Sequence, residues 1–233
     1  MSAEKIPTDI ADKLKKIRNK MATACEQSGR TPSEVRLVGV TKQVPFEKIR
    51  EAFQAGLTDF GENYVQEALP KMEALLDRSI NWHFIGALQS NKVKQIHDRF
   101  SLIHSIDRLS TLAEISKRTE RAQDVLIEVN LAHEPTKSGV FVEDIARFLE
   151  DAQKLPHVRL RGLMFMPPID LAESEQRRYF HDACKLRDRL VTNVSAPHNL
   201  RELSMGTSHD FEAAIKEGAT LVRVGSAIFG ARQ

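Results

Sequence analysis

Cysteine is scarce in this chain: Cys25 and Cys184 are the only two in 233 residues. They lie far apart inside helical patterns and neither has metal-ligand spacing, which excludes a disulfide framework and fits a reduced, cytoplasmic setting. No apolar run approaches a membrane span, and Met1-Ser2-Ala3-Glu4-Lys5 runs into charge rather than an apolar signal core. An excess of one charge is missing too. Thirty-four basic against 32 acidic side chains leave a net charge of +2, well mixed along the chain. That balance argues against nucleic acid as a partner. Linkers and internal repeats are absent, and no glycine-rich fingerprint follows the first apolar strand, which disfavours a dinucleotide-binding fold.

What remains is a regular alternation of short β-rich runs and longer amphipathic stretches. Ile10, Leu14, Ile17, Met21 and Cys25 recur at helical spacing and predict an opening helix over about 8–28. Strands are predicted at 37–42, 59–63, 82–86, 102–106, 125–130, 158–165, 202–206 and 220–225. Helices fill the gaps: from Pro45 to Gly56, 64–76 with Pro70 inside, a polar one through Lys92, Ile96 and Phe100, then 109–121, 142–154, 171–191 and 208–217. A short turn follows at 227–229. Eight strand–helix units in strict order predict an α/β fold, a single (β/α)8 TIM barrel with an extra N-terminal helix, spanning 1–233 as one domain. A doubly wound open sheet is the alternative that alternation alone leaves open.

In such barrels the chemistry collects at the carboxyl ends of the strands. That rim would gather Lys42, Asn63, Gln89, Asn91, His104, Asn130, Met164, the segment from Ser204 to Ser208, and Arg223 to Ser226. Lys42 closes the first strand, where a partly desolvated amine becomes a better nucleophile toward an aldehyde. Ser204-Met205-Gly206-Thr207-Ser208 and Gly225-Ser226 are small-residue segments after the seventh and eighth strands, the usual phosphate seat of the fold. Arg223 shares a face with Gly225 and so points into the barrel, where it needs an acid such as Glu128 or a ligand atom. An imine-forming lysine, a phosphate seat and an inward arginine together suggest pyridoxal 5′-phosphate. A Schiff-base aldolase acting on a sugar phosphate would use the same lysine and seat.

Several longer motifs narrow this. Val40-Thr41-Lys42, Phe60-Gly61-Glu62-Asn63-Tyr64-Val65-Gln66-Glu67 and Trp82-His83-Phe84-Ile85-Gly86-Ala87-Leu88-Gln89-Ser90-Asn91-Lys92 resemble the pyridoxal phosphate homeostasis protein family. So do His104-Ser105-Ile106-Asp107-Arg108, Lys137-Ser138-Gly139, Arg161-Gly162-Leu163-Met164 and the end from Val222 to Gly230. The resemblance implies a barrel like the N-terminal domain of fold-type III alanine racemases. It also implies a cofactor carrier or buffer rather than an enzyme, with apo-enzymes that use pyridoxal phosphate as recipients. Carried onto this chain, Lys42 would hold the cofactor as a Schiff base, and Ser204, Gly206, Gly225 and Ser226 would seat its phosphate. Arg223 would face the pyridine nitrogen and Asn63 would lie near the ring. His83 and Met164 would also contribute, core packing being the alternative for each. The chain departs from the family at Val44, where a second lysine is common, and at Thr207, where methionine is common.

An amino-acid racemase of this fold adds a β-rich domain that supplies a catalytic tyrosine and builds the dimer. The chain stops soon after the eighth strand, so the expectation is that this domain is absent, the cofactor face open, and the protein a monomer. A racemase-like enzyme is the functional alternative.

Overall fold

The computed structural model describes residues 9–77, 79–168 and 171–230. Thr8 at the predicted start of the first helix, the N-terminal run Met1 to Lys5 and the last three residues lie outside that range. Helix α1 (Asp9–Gln27) buries the predicted stripe of Ile10, Leu14, Ile17, Met21 and Cys25, with Ala24 beside them. The chain then alternates through β1 (Arg36–Val40), α2 (Phe46–Gln54), β2 (Asp59–Glu62), α3 (Val65–Ala74) and β3 (Asn81–Phe84). Next come α4 (Val93–Ile96), β4 (Leu102–Ile106), α5 (Leu109–Arg118) and β5 (Gln123–Asn130). The two-residue strand β6 (Val140–Phe141), α6 (Ile145–Ala152), β7 (Val158–Phe165) and α7 (Glu173–Leu190) follow. The described chain closes with β8 (Glu202–Ser204), α8 (Phe211–Lys216), β9 (Leu221–Val224) and α9 (Ser226–Phe229).

All strand pairings among the described residues are parallel. The order β4-β3-β2-β1-β9-β8-β7-β5 closes on itself through a β4–β5 pairing, so eight strands form the predicted barrel and the open-sheet alternative falls away. β6 lies outside the ring, pairing only with the tip of β5 at Val129 and Asn130. Helix α1 packs on α2, α8 and α9.

Two packing regions result. The outward faces of the strands join the helices in one large apolar core. A second, separate cluster of Val38, Leu102, Leu126, Met164 and Leu221 fills the inside of the barrel. Predicted elements shift where local hydrogen bonding wins over pattern. The polar helix expected through Phe100 is a 3-10 turn at Ser90–Lys92 followed by the four-residue α4, and Asp98 at φ 58° turns the chain away. Pro70 sits inside α3, which ends at Ala74 rather than 76. No helix among the described residues is long and apolar enough to cross a membrane.

Candidate ligand-binding cleft

Strand β1 stops at Val40, so Lys42 stands in a turn just beyond it rather than on the strand. Thr41 still reaches β2, its N–H donating to Gly61 O (2.9 Å) and its hydroxyl to Glu62 Oε1 (2.6 Å), and the chain then turns as Thr41 O accepts from Val44 N–H (3.0 Å) with Gln43 at φ 60°. Helix α3 braces the turn from behind. Lys71 Nζ donates to Thr41 O (2.7 Å) and to Glu62 Oε1 (2.8 Å), and Glu67 Oε2 accepts from Gln43 N–H (2.7 Å). Glu62 is fully buried, and burial raises its carboxyl pKa while Lys71 and Thr41 oppose the rise. The result is a half-buried Lys42 on a fixed turn at the carboxyl rim.

Lys42 lines a cleft of about 300 Å³ together with Val40, Asn63, Ile85, Met166, Thr207, Ser208, His209, Arg223, Gly225 and Ser226. That volume is at the lower end of the range for small-ligand sites, roughly 300–1,000 Å³. Asn63 Oδ1 is buried there without a hydrogen-bond partner among the described residues, which marks an acceptor waiting for a ligand donor or water. Gly86 makes this placement possible. A β-carbon on it would sit 2.1 Å from Asn63 O, so only glycine lets the backbone of Asn63 come so close.

Arg223 forms the far wall, 4% exposed. Its Nη1 donates to Ser204 O (2.9 Å) and Ser204 Oγ (2.6 Å), and its Nη2 to Phe165 O (3.0 Å) and the Met166 sulfur (2.7 Å). Burial draws its pKa down to about 10, opposed by the charges of Glu128 and Asp210, which leaves it cationic at neutral pH. Glu128, the acid suggested by the sequence, influences Arg223 through its charge; the hydrogen bonds go to Ser204, Phe165 and Met166. Burial pushes Glu128 up from 4.5 to about 7, with Asp107 adding to the rise and Arg223 opposing it.

The predicted phosphate segments line the cleft in part. Gly225 N–H donates to Ser208 Oγ (3.1 Å), which leaves the Ser208 hydroxyl hydrogen able to donate onward, and Ser226 opens α9 with its first N–H groups directed out of the helix. Helix α8 begins at Phe211, three residues later than expected, because Asp210 takes both the N–H and the hydroxyl of Thr207 in a tight turn. Gly206 serves that turn at φ +91°; a β-carbon there would lie 2.6 Å from Ala214 Cβ.

Of the nine site residues expected from the sequence, Lys42, Asn63, Arg223, Gly225 and Ser226 line the cleft. His83, Met164, Ser204 and Gly206 do not. His83 is fully buried, with its ring nitrogens spent on Asp59 and His104. Met164 belongs to the apolar cluster inside the barrel. Ser204 Oγ is occupied by Arg223 and His104, one level below the cleft, so it supports the arginine instead of the phosphate seat. Thr207 and Ser208 line the cleft as part of the small-residue segment expected to seat a phosphate. Met166 and His209 line it without having been expected there; for Met166 the signal was present, since it follows Met164 by the two-residue strand period.

A closed (β/α)8 barrel with a rim lysine facing a buried arginine and two small-residue loops is a ligand-binding barrel of the alanine-racemase type. Residues 13–233 match the family model for the alanine racemase N-terminal domain. Alanine racemase from Corynebacterium glutamicum shares the fold, with a TM-score of 0.64 at 16% identity over 94% of this chain and 62% of that one. The pyridoxal phosphate homeostasis protein of Aquifex aeolicus is 46% identical over 97% of this chain and 99% of its own. That of Pseudomonas aeruginosa is 43% identical over 96% of each. PipY of Synechococcus elongatus, solved with PLP bound, superposes with a TM-score of 0.84 at 35% identity, covering 95% of this chain and all of that one. The chain belongs to the pyridoxal phosphate homeostasis protein family.

Proposed function

We propose that the cleft binds pyridoxal 5′-phosphate reversibly and that the protein serves as a carrier or buffer of this cofactor. The observation that carries the reading is the placement of Lys42 on a braced turn across a small cleft from the buried cation Arg223. The donor set fits the group. Lys42 would hold the aldehyde carbon through its amine, Arg223 would meet the ring nitrogen, and the unpartnered Asn63 Oδ1 has room for a ligand or water donor. Ser208, Gly225 and Ser226 would seat the phosphate, which carries roughly −1.5 to −2 charge near neutral pH and needs several donors.

When bound, the cofactor supplies an electron-withdrawing ring conjugated to the lysine nitrogen. The residues of this chain limit what that ring can do. A guanidinium only donates, so Arg223 keeps a ring nitrogen unprotonated and the ring a poor electron sink. Holding and release therefore suit the site better than proton abstraction, and apo-enzymes that need the cofactor are the natural recipients.

The test is borohydride trapping of protein mixed with pyridoxal phosphate, followed by peptide mass spectrometry. The expected label is on Lys42, and Lys42→Ala is expected to lose both label and visible absorption band while keeping its far-ultraviolet circular dichroism. A dominant label elsewhere, at Lys137 for example, would overturn the assignment. Rapid appearance of D-alanine from L-alanine in deuterated water, at roughly one turnover per second or faster, would overturn the carrier reading.

A further inference from the structure

A continuous line of hydrogen bonds crosses the inside of the barrel. Arg223 Nη1 lies 2.6 Å from Ser204 Oγ, which lies 2.9 Å from His104 Nδ1. His104 Nε2 lies 2.9 Å from His83 Nδ1, and His83 Nε2 lies 3.0 Å from Asp59 Oδ1. Asp59 is the first residue of β2, at the amino end of the barrel, whereas Arg223 lines the cleft at the carboxyl end. Ser204 and both histidines are fully buried.

One order of donors lets each hydrogen find an acceptor. A guanidinium cannot accept, so Ser204 Oγ accepts from Arg223, and His104 Nδ1 is the acceptor that the hydroxyl's own hydrogen meets among the described residues. His104 then carries its proton on Nε2 and donates to His83 Nδ1. His83 in turn carries its proton on Nε2 and donates to the Asp59 carboxylate. Both ends agree with this order. Burial, with the charges of Arg223 and Arg36 adding to it, holds His104 well below the ordinary imidazole range, so that ring is neutral. Burial alone would raise Asp59, but His83, Thr58 and Arg36 hold its carboxyl below its ordinary value, so it is ionised.

We propose that Asp59, His83, His104 and Ser204 are positioning residues that act as one directed relay, fixing how Arg223 is presented to the cleft from the opposite end of the barrel. This deepens the reading of the cleft as a pyridoxal phosphate site, on which it rests only for what Arg223 meets there. Each member is locked by its neighbours, so removing one leaves a buried polar partner unsatisfied and lets the guanidinium turn toward other acceptors.

The first measurement needs no cofactor. Nitrogen-15 spectra of the histidine rings in the unliganded protein are expected to show His83 and His104 neutral, each with its proton on Nε2. A doubly protonated His104, or a proton on its Nδ1, would overturn the relay.

The second measurement is pyridoxal phosphate titration of His104→Phe and His104→Gln. Phenylalanine keeps an aromatic ring of similar width but no nitrogen, whereas glutamine keeps one donor and one acceptor. The relay predicts about a tenfold loss of affinity for the Phe variant, the equivalent of about 1.4 kcal/mol, and a smaller loss for Gln. A packing role predicts the reverse order, and that order would overturn the proposal. The loss in the Phe variant should also shrink toward onefold with an analogue in which C–H replaces the ring nitrogen, since Arg223 then has nothing to donate to. An undiminished loss with that analogue would overturn the link to Arg223. If the unaltered protein binds no pyridoxal phosphate, the reading of the cleft fails, while the ring-nitrogen spectra still decide the relay.

Discussion

Lys71→Met probes the bracing of the Lys42 turn most directly. Its amine donates to Thr41 O at 2.7 Å and Glu62 Oε1 at 2.8 Å, with Glu67 Oε2 at 3.4 Å. Glu62 is fully buried, and its Oε2 already lacks a partner among the described residues. Removing the cation strands that carboxylate, a change that typically costs about 3–5 kcal/mol. For a chain of this size each kcal/mol lowers the melting temperature by roughly 2–4 °C, so a drop on the order of 6–20 °C is expected. The pH dependence identifies the cause. Glu62 is raised by burial already, and losing Lys71 raises it further, so the folded state of the variant binds a proton more readily than the unfolded chain. Stability from such a group is full below the unfolded carboxylate pKa and is lost as pH rises toward the folded value. The deficit of Lys71→Met should therefore be larger at pH 8 than at pH 5. Adding Glu62→Gln should recover much of it by removing the stranded charge. The assay is thermal unfolding of the unaltered protein and the two variants at both pH values. A deficit below about 1 kcal/mol, or one that does not change with pH, would refute the reasoning.

Glu128→Gln should flatten the pH dependence of stability between about 4.5 and 7. The raised carboxyl costs stability as pH climbs through that window, so at pH 8 the variant should be more stable by up to about 3 kcal/mol, measured by denaturant titration; a less stable variant at pH 8 would contradict this. Met166→Leu should tighten pyridoxal phosphate binding by about twofold in an absorbance titration, because the thioether competes with the ring nitrogen for Arg223 Nη2 and leucine keeps the bulk without the acceptor. Weaker binding would mean that Met166 supports the ligand.

The barrel was legible because its strands are short apolar runs buried on both sides, separated by stretches with helical period. β5 and β7 read this way at once, each with a nearly unbroken run of buried residues. Strand ends were less so. Lys42 continues the pattern of β1, yet Val44 N–H closes on Thr41 O and Gln43 takes φ 60°, so the chain turns at Lys42, and glutamine at the left-handed position gives no local signal of it. The start of α8 was set too early for a similar reason, since Asp210 reaches back to Thr207. In the site, the two-residue period correctly sends Ser204, Met164 and Arg223 inward. It says nothing about height, which depends on how neighbouring strands are staggered around the barrel. His83 pairs in register with Gly61 and Leu102, and this stagger brings it against His104 and below the cleft. Met164 lies below Met166 simply because it comes two residues earlier along the same segment.

The interior of this barrel departs from the usual layers of branched apolar residues. Val38, Leu102, Leu126, Met164 and Leu221 supply an apolar plug, but two histidines, a serine and an arginine pass through the same space. Taking such groups out of water is unfavourable unless each finds a partner. Here every ring nitrogen of the two histidines, the Ser204 hydroxyl and both terminal nitrogens of Arg223 have one. A chain of satisfied bonds is close to neutral for stability, so its presence is better explained by what it fixes than by what it adds. What it fixes is the only buried guanidinium on the cleft wall among the described residues. A loose arginine would let the ring nitrogen of a bound ligand take up a proton from water. On the proposed reading, an arginine held at Ser204 and Phe165 would keep a donor aimed at that atom each time a ligand enters or leaves. Repeated loading and release without side reaction is what a carrier requires, and a relay anchored at the far end of the barrel leaves the open rim free for it.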